Sequence, residues 1–293
     1  MKEKDIRDDE IRVIGEDGKT KFKGWKWLLL LLAVIVVGFI SWMVLHPRED
    51  SPAVEIEQGY YDPATVAVKQ HNDKTHLAKA EETGQGFIEI RDTLINDIPM
   101  RLFIPHQVKI SLHLGAIDRN DSDILFTAQA ADIRADNGGI VGAFVLEGKP
   151  LAWGLSKKGY CAIISDTVRV GVADNSPLFE EATEKGGYFF RQFPLVNDGC
   201  LVDNEIKGKS ARRALCARGD ETFTAETLSP ESFHDFAQAL VDLGVDNAIY
   251  LVGGNAYGWA TDADGLRHEF GDPNPKTNKK WRNINYLVMR SKT

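Results

Sequence analysis

The sequence predicts an α+β fold, a strand-rich, mixed, twisted sheet with few helices, preceded by one N-terminal transmembrane helix. Three observations lead to this prediction. From Gly86 onward the chain consists mostly of short runs with the period-two alternation of strands. One long amphipathic helix follows Ser229, without the regular strand–helix alternation of a doubly wound sheet. Near the N-terminus, Leu28 to Leu45 contains no charged residue.

The composition is that of an ordinary globular protein. The chain has 293 residues, of which 43% are hydrophobic and 27% charged, and its net charge is -8. A chain with so few basic residues does not carry the electrostatic footprint of nucleic-acid binding, so no nucleic-acid partner is expected.

The uncharged stretch is predicted to cross a membrane. Its 18 residues, as a helix, span about 27 Å, which matches a bilayer core, and Trp25, Trp27 and Trp42 flank it as interfacial residues do. A buried core helix and a cleaved signal peptide are the alternatives. The stretch is longer than a usual signal-peptide core and no small-x-small motif follows it, which favours an uncleaved signal anchor over residues 27–46 that contacts the lipid bilayer.

Charge flanking this stretch predicts its orientation. Lys19, Lys21, Lys23 and Lys26 precede it, whereas Arg48 is the firm positive charge just after it. The positive-inside rule then makes residues 1–26 a cytoplasmic tail and places the main domain in the periplasm or outside the cell. Residues 47–85 are interpreted as a stalk and residues 86–293 as the main domain.

The main domain is predicted element by element. Val108 to Leu114 alternates as a half-buried strand, and residues 142–154 form a hairpin turning at residues 147–150. A short helix has Ser176 as its cap, and a longer one is capped by Ser229 and ended by Gly244. A buried strand to Val252, a hairpin at residues 264–265 and a closing strand over residues 283–290 complete the chain.

Cysteine and histidine carry no clear chemistry in this sequence. Cys161 and Cys216 lie in strand-like runs and are expected to be buried, and a Cys200–Cys216 disulfide is possible although three cysteines argue against a disulfide framework. The group of His71, Asp73 and His76 is typical of a solvated helix face. No metal and no cofactor are therefore predicted.

Three short segments could contact a ligand, and each has a simpler explanation. Asp136 to Gly139 is either a hairpin turn or a loop whose glycines approach a phosphate or a sugar. Gly253, Gly254 and Asn255 either bind an anion through backbone N–H groups or form a tight bend. Arg212 and Arg213 are adjacent on a strand, so one of the two guanidinium groups can point into a site, where it would pair with a phosphodiester.

The order of these segments strengthens the functional interpretation. The motifs "DNGG", "FVLEGKP", "FPLVNDG", "RRAL" and "FHDFAQALVDLGVDNAIYLVGGNA" occur in this order. From about Asp132 to Val288 the chain therefore resembles the phosphodiester glycosidase family. That family includes the enzyme that uncovers mannose 6-phosphate by removing N-acetylglucosamine, and bacterial exopolysaccharide-associated proteins.

The resemblance implies a carbohydrate or sugar-phosphate ligand and a set of site residues. Val252 departs from the family pattern, which has Asp there, and Ala256 replaces a Ser. Because another acid would have to substitute, the expected catalytic residues are Asp136, Asp198 and Arg212. The expected substrate-binding residues are Asn137, Gly138, Gly139, Gly253, Gly254 and Asn255.

Three functions remain open at this point. The first is a membrane-anchored hydrolase that cleaves a sugar-1-phosphodiester in envelope glycan. The second is a relative that has lost catalysis and binds glycan or phosphate, and the third is a structural membrane-anchored scaffold. The order of the motifs further implies that Asn137, Asp198, Arg212 and Gly253 line one cleft, although they are far apart in the sequence.

Overall fold

The computed structural model describes residues 85–273 and 283–292, all within the compact unit Tyr61–Thr293. The predicted cytoplasmic tail, the membrane anchor and residues 47–84 of the stalk lie outside the described residues. Within the described ranges, no helix has the length and apolarity needed to span a bilayer.

The described ranges contain seventeen strands and two helices. The strands are β1 (Phe87–Ile95), β2 (Ile98–His106), β3 (Val108–Leu114), β4 (Ile124–Gln129), β5 (Ala143–Leu146), β6 (Lys149–Trp153), β7 (Gly159–Ile164), β8 (Thr167–Val172), β9 (Tyr188–Gln192), β10 (Pro194–Asn197), β11 (Cys200–Leu201), β12 (Arg213–Arg218), β13 (Glu221–Thr227), β14 (Asn247–Leu251), β15 (Gly258–Thr261), β16 (Arg267–Phe270) and β17 (Asn285–Ser291). The helices are α1 (Leu178–Glu184) and α2 (Phe233–Asp242).

These strands form three sheets, which corrects the expectation of one mixed sheet. The seven-stranded sheet has the order β1-β2-β13-β12-β14-β10-β11, and the two five-stranded sheets have the orders β16-β15-β4-β17-β3 and β6-β5-β9-β7-β8. Every pairing among the described strands is antiparallel. Six of these pairs join consecutive strands through short turns, as antiparallel neighbours allow, and the other eight join strands that are distant in the sequence.

The predicted hairpins are confirmed. β5 and β6 turn at Glu147 and Gly148, which both have positive φ, as the turn types that match the twist of hairpin strands require. β15 and β16 pair around Asp264 and Gly265. The closing strand is β17, an internal strand of its sheet that lies between β4 and β3.

Both predicted helices exist, but each begins later than expected. α1 starts after Pro177 rather than Ser176 and has no side-chain cap. α2 starts after Ser232, whose hydroxyl accepts a hydrogen bond from the Asp235 N–H, rather than after Ser229. The intervening Glu231 stays extended because it forms a β-bridge with Ser210.

The three sheets enclose one common core. Its buried members include Phe103 and Ile249 from the seven-stranded sheet, Phe126 from the second sheet, and Phe144 and Phe190 from the third. The opposite face of the seven-stranded sheet is covered by α2, and the outer face of the third sheet by α1. Each helix thus shields a sheet face that would otherwise expose apolar side chains to water.

The cysteines are free thiols. Cys161 and Cys216 are buried, as expected, and burial raises the pKa of both thiols. Cys200 is exposed on β11 and is not joined to Cys216.

Candidate functional site

The predicted site segments meet where strands of all three sheets end. The Val252 N–H, just after β14, donates to the Gln129 carbonyl at the end of β4 over 3.0 Å. The Gln192 side chain at the end of β9 donates to the Ala130 carbonyl over 3.3 Å. The next residue, Ala131, donates its N–H to Asn285 Oδ1 at the start of β17 over 2.7 Å. This junction is the candidate site.

The glycine-rich loop after β14 is a tight bend packed against its neighbour. The Gly254 N–H donates to the Ala211 carbonyl over 2.8 Å, and the Gly253 N–H to the Tyr250 hydroxyl over 2.9 Å. A Cβ on Gly253 would lie 2.5 Å from the Ala211 oxygen, so this position requires glycine. Since these N–H groups already have partners inside the protein, the bend interpretation holds rather than an anion-binding nest. Asn255 follows in the bend and is exposed.

Asp136 to Gly139 forms the turn of a small hairpin at the same junction. Asp136 Oδ1 accepts from the Asn137 N–H over 2.9 Å, and Asn137 Oδ1 accepts from the Gly139 N–H over 2.8 Å. Both side chains are exposed, while Gly138 has a φ of +71° and is tied to the Asn283 amide, which donates to its carbonyl. The side chains of Asp136 and Asn137 thus stabilise the turn itself.

Asp136 carries the charge of an exposed surface acid. A hydrogen bond from Arg134 holds the pKa of the Asp136 carboxyl below its usual value. An acid of this kind is ionised at neutral pH, which does not suit protonation of a leaving group.

Arg212 lies next to the bend, but its side chain points away from it. Arg212 Nε donates to the Glu231 carbonyl over 2.8 Å and Nη2 to the Gly208 carbonyl over 2.6 Å. Its guanidinium carbon lies 4.6 Å from the ring centre of Phe233, on the α2 side of the sheet. The residue is 6% exposed. Its guanidinium therefore holds the preceding loop against the start of α2.

Arg213 occupies the other face of the sheet, as the alternation of strand side chains requires. Its Nη2 donates to Glu226 Oε1 over 2.6 Å, and its Nη1 donates to the Val252 carbonyl over 3.0 Å. The guanidinium also stacks on Phe270, with 3.9 Å to the ring centre. Arg213, rather than the predicted Arg212, is thus the arginine in contact with Val252, and its charge is balanced by Glu226.

Asp198 does not join the other predicted residues. It lies in the β10–β11 turn, where its N–H donates to Asn247 Oδ1, at the first residue of β14. Gly253 lies six residues further along the chain, two residues beyond the end of that strand, which is up to roughly 20 Å in extended backbone. Because β10 and β14 are antiparallel, the turn after β10 must lie at the amino end of β14. The structure therefore does not place Asn137, Asp198, Arg212 and Gly253 in one cleft.

A pair of residues that the sequence does not single out lies at the junction. Lys157 Nζ forms a salt bridge with Asp132 and donates to Gln192 Oε1 over 3.0 Å. The same ammonium lies 4.4 Å from the ring centre of Phe193. The Lys157 side chain is 7% exposed and that of Asp132 is 34% exposed. Asp132 is therefore a solvent-accessible carboxylate held by a buried lysine.

Two features distinguish Lys157 from a surface lysine. Burial lowers the pKa of the Lys157 ammonium, and the charge of Asp132 partly opposes that shift. Its backbone has a φ of +68°, an uncommon conformation for a residue other than glycine. Such strained backbone is concentrated at functional sites, since the surrounding structure must enforce it.

Asp132 is connected to the glycine bend through the chain that follows β4. Gln129 bonds to Val252, and three residues later the Asp132 carbonyl accepts from the Val141 N–H across the base of the small hairpin. Asp132 thus lies between the two loops that the sequence selected. In the residues that the structure covers, no group of three or more His, Cys, Asp and Glu side chains could hold a metal ion.

Comparison with solved structures shows a distant relationship of fold. The catalytic domain of zebrafish N-acetylglucosamine-1-phosphodiester alpha-N-acetylglucosaminidase, auto-inhibited by its pro-peptide, is similar with a TM-score of 0.50 and 14% identity, over 71% of this chain and 83% of that one. A hypothetical protein from Synechocystis is similar with a TM-score of 0.51 and 12% identity, over 72% of this chain and 63% of that one. No family model and no curated protein matches the chain.

Proposed function

We propose that this protein is a hydrolase that cleaves a sugar-1-phosphodiester in envelope glycan, with Asp132 as its functional carboxylate. The observation that carries the proposal is the position of Asp132, a partly exposed acid paired with the buried Lys157 beside the loop in which Val252 replaces the family Asp. The fold likeness to a phosphodiester glycosidase catalytic domain supports the reaction class.

The chemistry requires little from a general acid. When water attacks the anomeric carbon, the bond from that carbon to the phosphate oxygen breaks, and the phosphate monoester leaves with the electron pair. A carboxylate is needed to stabilise the oxocarbenium-like charge and to accept the proton of the attacking water. We assign both tasks to Asp132, and we assign to Lys157 the task of holding the carboxylate in place.

The phosphate contact is assigned to Arg134 rather than to the two buried arginines. Arg212 and Arg213 are committed to internal partners, whereas the Arg134 side chain is 58% exposed on the small hairpin at the same junction. Its partner Asp136 is 3.3 Å away and equally accessible, so a phosphate can compete for the guanidinium.

A lapsed, glycan-binding relative is the second candidate, and one observation favours it. Val252 has no carboxylate, and the arginine that contacts it is already neutralised by Glu226. If Asp132 served only to stabilise the fold, the remaining frame would retain a binding surface without catalysis.

We also propose the cellular placement that the sequence predicts. The protein would be a single-pass inner-membrane protein anchored through residues 27–46, with its main domain in the periplasm or outside the cell. The lysines before the apolar stretch support this orientation.

The hydrolase proposal is tested by turnover of defined substrates. The full-length protein in detergent would be incubated with methyl phosphodiesters of N-acetylglucosamine, glucose and galactose, and the released sugar would be quantified. We expect release from at least one substrate, and none from Asp132→Asn protein purified in parallel. Saturable binding without release would favour the lapsed relative, and neither binding nor release would overturn both candidates.

A further inference from the structure

A cleft lies beside Arg191, whose guanidinium donates to the Lys157 carbonyl. It has a volume of about 150 Å³ and is bounded by the end of β6, the start of α1 and Arg191 of β9. Its mouth carries Trp153 and Leu155, each 65% exposed, which are the two most exposed large hydrophobic residues in the described part of the chain. An indole so exposed beside a cleft has the form of a ligand platform.

The polar residues at this mouth are available to a ligand. Asn175 and Glu180 both line the cleft and both are exposed. Within the described residues, neither side chain forms a hydrogen bond or an ion pair. An amide and a carboxylate together offer the donors and acceptors that neighbouring hydroxyl groups of a sugar require.

The floor of the cleft is built on a buried arginine. Arg191 is 1% exposed, and its guanidinium donates to the carbonyls of Lys157, Ala173 and Asp174 over 2.9–3.1 Å. Its Nε is buried, and no acceptor among the described residues bonds to it. Arg191 thus ties together the segments that follow β6 and β8, so the platform above it rests on a rigid base.

The same arginine connects this cleft to the candidate site. Arg191 donates to the Lys157 backbone carbonyl, while the Lys157 side chain donates to Asp132. Two successive residues of β9 contact the two regions separately. Arg191 lines the cleft, and Gln192 accepts a hydrogen bond from Lys157 at the candidate site. The cleft and the Asp132 carboxylate are therefore linked inside the protein through two buried residues, Arg191 and Lys157.

We propose that this cleft binds a pyranose ring of a neutral glycan chain, with the ring stacked on Trp153 and its hydroxyl groups bonded to Asn175 and Glu180. The choice of glycan as ligand rests on the proposed function. The lining supports it independently, because a cleft of this volume admits about one ring and is bordered by an indole, an amide and a carboxylate. A pyranose with equatorial hydroxyl groups offers the flat apolar face that an indole contacts.

Binding is measured separately from turnover. Full-length protein in detergent would be titrated into fluorescein-labelled tetrasaccharides of β-1,4-linked N-acetylglucosamine and β-1,4-linked glucose, with fluorescence polarisation as the readout. We expect saturable binding of at least one probe, weakened about tenfold or more by Trp153→Ala and less by Trp153→Phe. Glu180→Gln should also weaken binding, whereas Leu266→Ala, a change of an equally exposed residue on another loop, should not.

The results distinguish this proposal from the hydrolase proposal. Asp132→Asn protein should bind the probe as the wild type does, even though its turnover is lost. If wild-type protein shows no turnover but Trp153→Ala still abolishes binding, the cleft stands and the hydrolase fails. The cleft proposal would be overturned if neither probe bound saturably, or if Trp153→Ala protein of unchanged thermal stability bound the probes as well as wild type. It would also be overturned if Trp153→Ala reduced self-association of the protein instead of glycan binding.

Discussion

At the scale of single residues, the structure separates arginines that the sequence presents as a pair. Arg212 satisfies two backbone carbonyls beneath α2, and Arg213 forms a buried salt bridge with Glu226 on the other face. A buried ion pair contributes little compared with apolar packing, but removing one partner leaves an uncompensated charge. Single substitutions of Arg213 or Glu226 are therefore expected to destabilise the sheet more than replacement of both residues.

Arg213→Ala is expected to destabilise the protein by about 3–5 kcal/mol, because it leaves the buried Glu226 carboxylate without its cation. The double variant Arg213→Met, Glu226→Leu should recover much of this loss. Urea unfolding of the single and double variants measures both values. Equal destabilisation by the single and double variants would contradict the ion-pair account.

The residues of the site were only partly predictable. The alternation of side chains along a strand correctly predicts that the two arginines lie on opposite faces. The turn over Asp136 to Gly139 is predicted by its residue types. The pairing of Asp132 with Lys157 joins residues 25 positions apart in the chain, through loops with no periodic pattern. Neither periodicity nor turn residues report such a contact, so the sequence alone does not select the proposed Asp132, whereas the loops that match the family resemblance select Asp136 and Asp198.

At the scale of elements, the sequence predicts the tight turns correctly, but it does not predict how the strands assemble into sheets. Hairpins at residues 147–148 and 264–265 were predictable because tight turns are encoded by adjacent residues. The start of α2 was misplaced because Ser229 is followed by a proline, which is typical of a helix start, whereas the helix begins after Ser232. The contact of Glu231 with Ser210, which selects Ser232, is distant in sequence. Division into three sheets likewise depends on non-local pairings.

The bend after β14 gives a prediction about its glycines. Gly253→Ala should destabilise the protein by about 1–3 kcal/mol, since the new Cβ would lie 2.5 Å from the Ala211 backbone oxygen. Gly139→Ala is the matched control, because its Cβ would meet the movable Asn137 side chain at 3.0 Å. Thermal unfolding of both variants checks the difference. Equal stability of the two would show that the bend is not tightly packed.

The β1–β2 hairpin gives a prediction about acid stability. Burial raises the pKa of the Glu89 carboxyl, but the hydrogen bond with His106 and the charge of Arg91 outweigh it and hold that pKa below its usual value. A carboxyl with a lowered pKa in the folded protein stabilises it above the unfolded pKa, and this contribution is lost as the pH falls through the folded pKa.

Glu89→Gln should therefore lose stability near pH 7 and lose less relative to the wild type as the pH falls through about 4 and below. Thermal unfolding between pH 3 and pH 7 measures this convergence. Glu184→Gln, at an exposed position of α1, serves as the control and should be neutral throughout. A stability gap between Glu89→Gln and wild type that is independent of pH would rule out the charge explanation.

At the scale of the whole molecule, the predicted anchor and the main domain depend on different kinds of information in the sequence. The domain depends on non-local packing, whereas the anchor is predicted from one uncharged stretch and its flanking lysines. An alkaline phosphatase fused after Thr293 should be active, and a cytoplasmic reporter at the same point inactive. The opposite pattern would refute the orientation, and a mature N-terminus near residues 46–55 would refute the anchor.

The central claim is that Asp132 has taken over the work of the carboxylate that Val252 lacks. The most direct test is the turnover number of full-length Asp132→Asn protein on the best sugar-1-phosphodiester, beside Asp136→Asn and Asp198→Asn. The claim predicts a loss of about 10²- to 10⁴-fold for Asp132→Asn. The turnover numbers of Asp198→Asn, in the turn at the amino end of β14, and of Asp136→Asn, in the exposed turn, should remain within a few-fold of wild type. Full activity of Asp132→Asn protein, or silencing by Asp198→Asn, would contradict it.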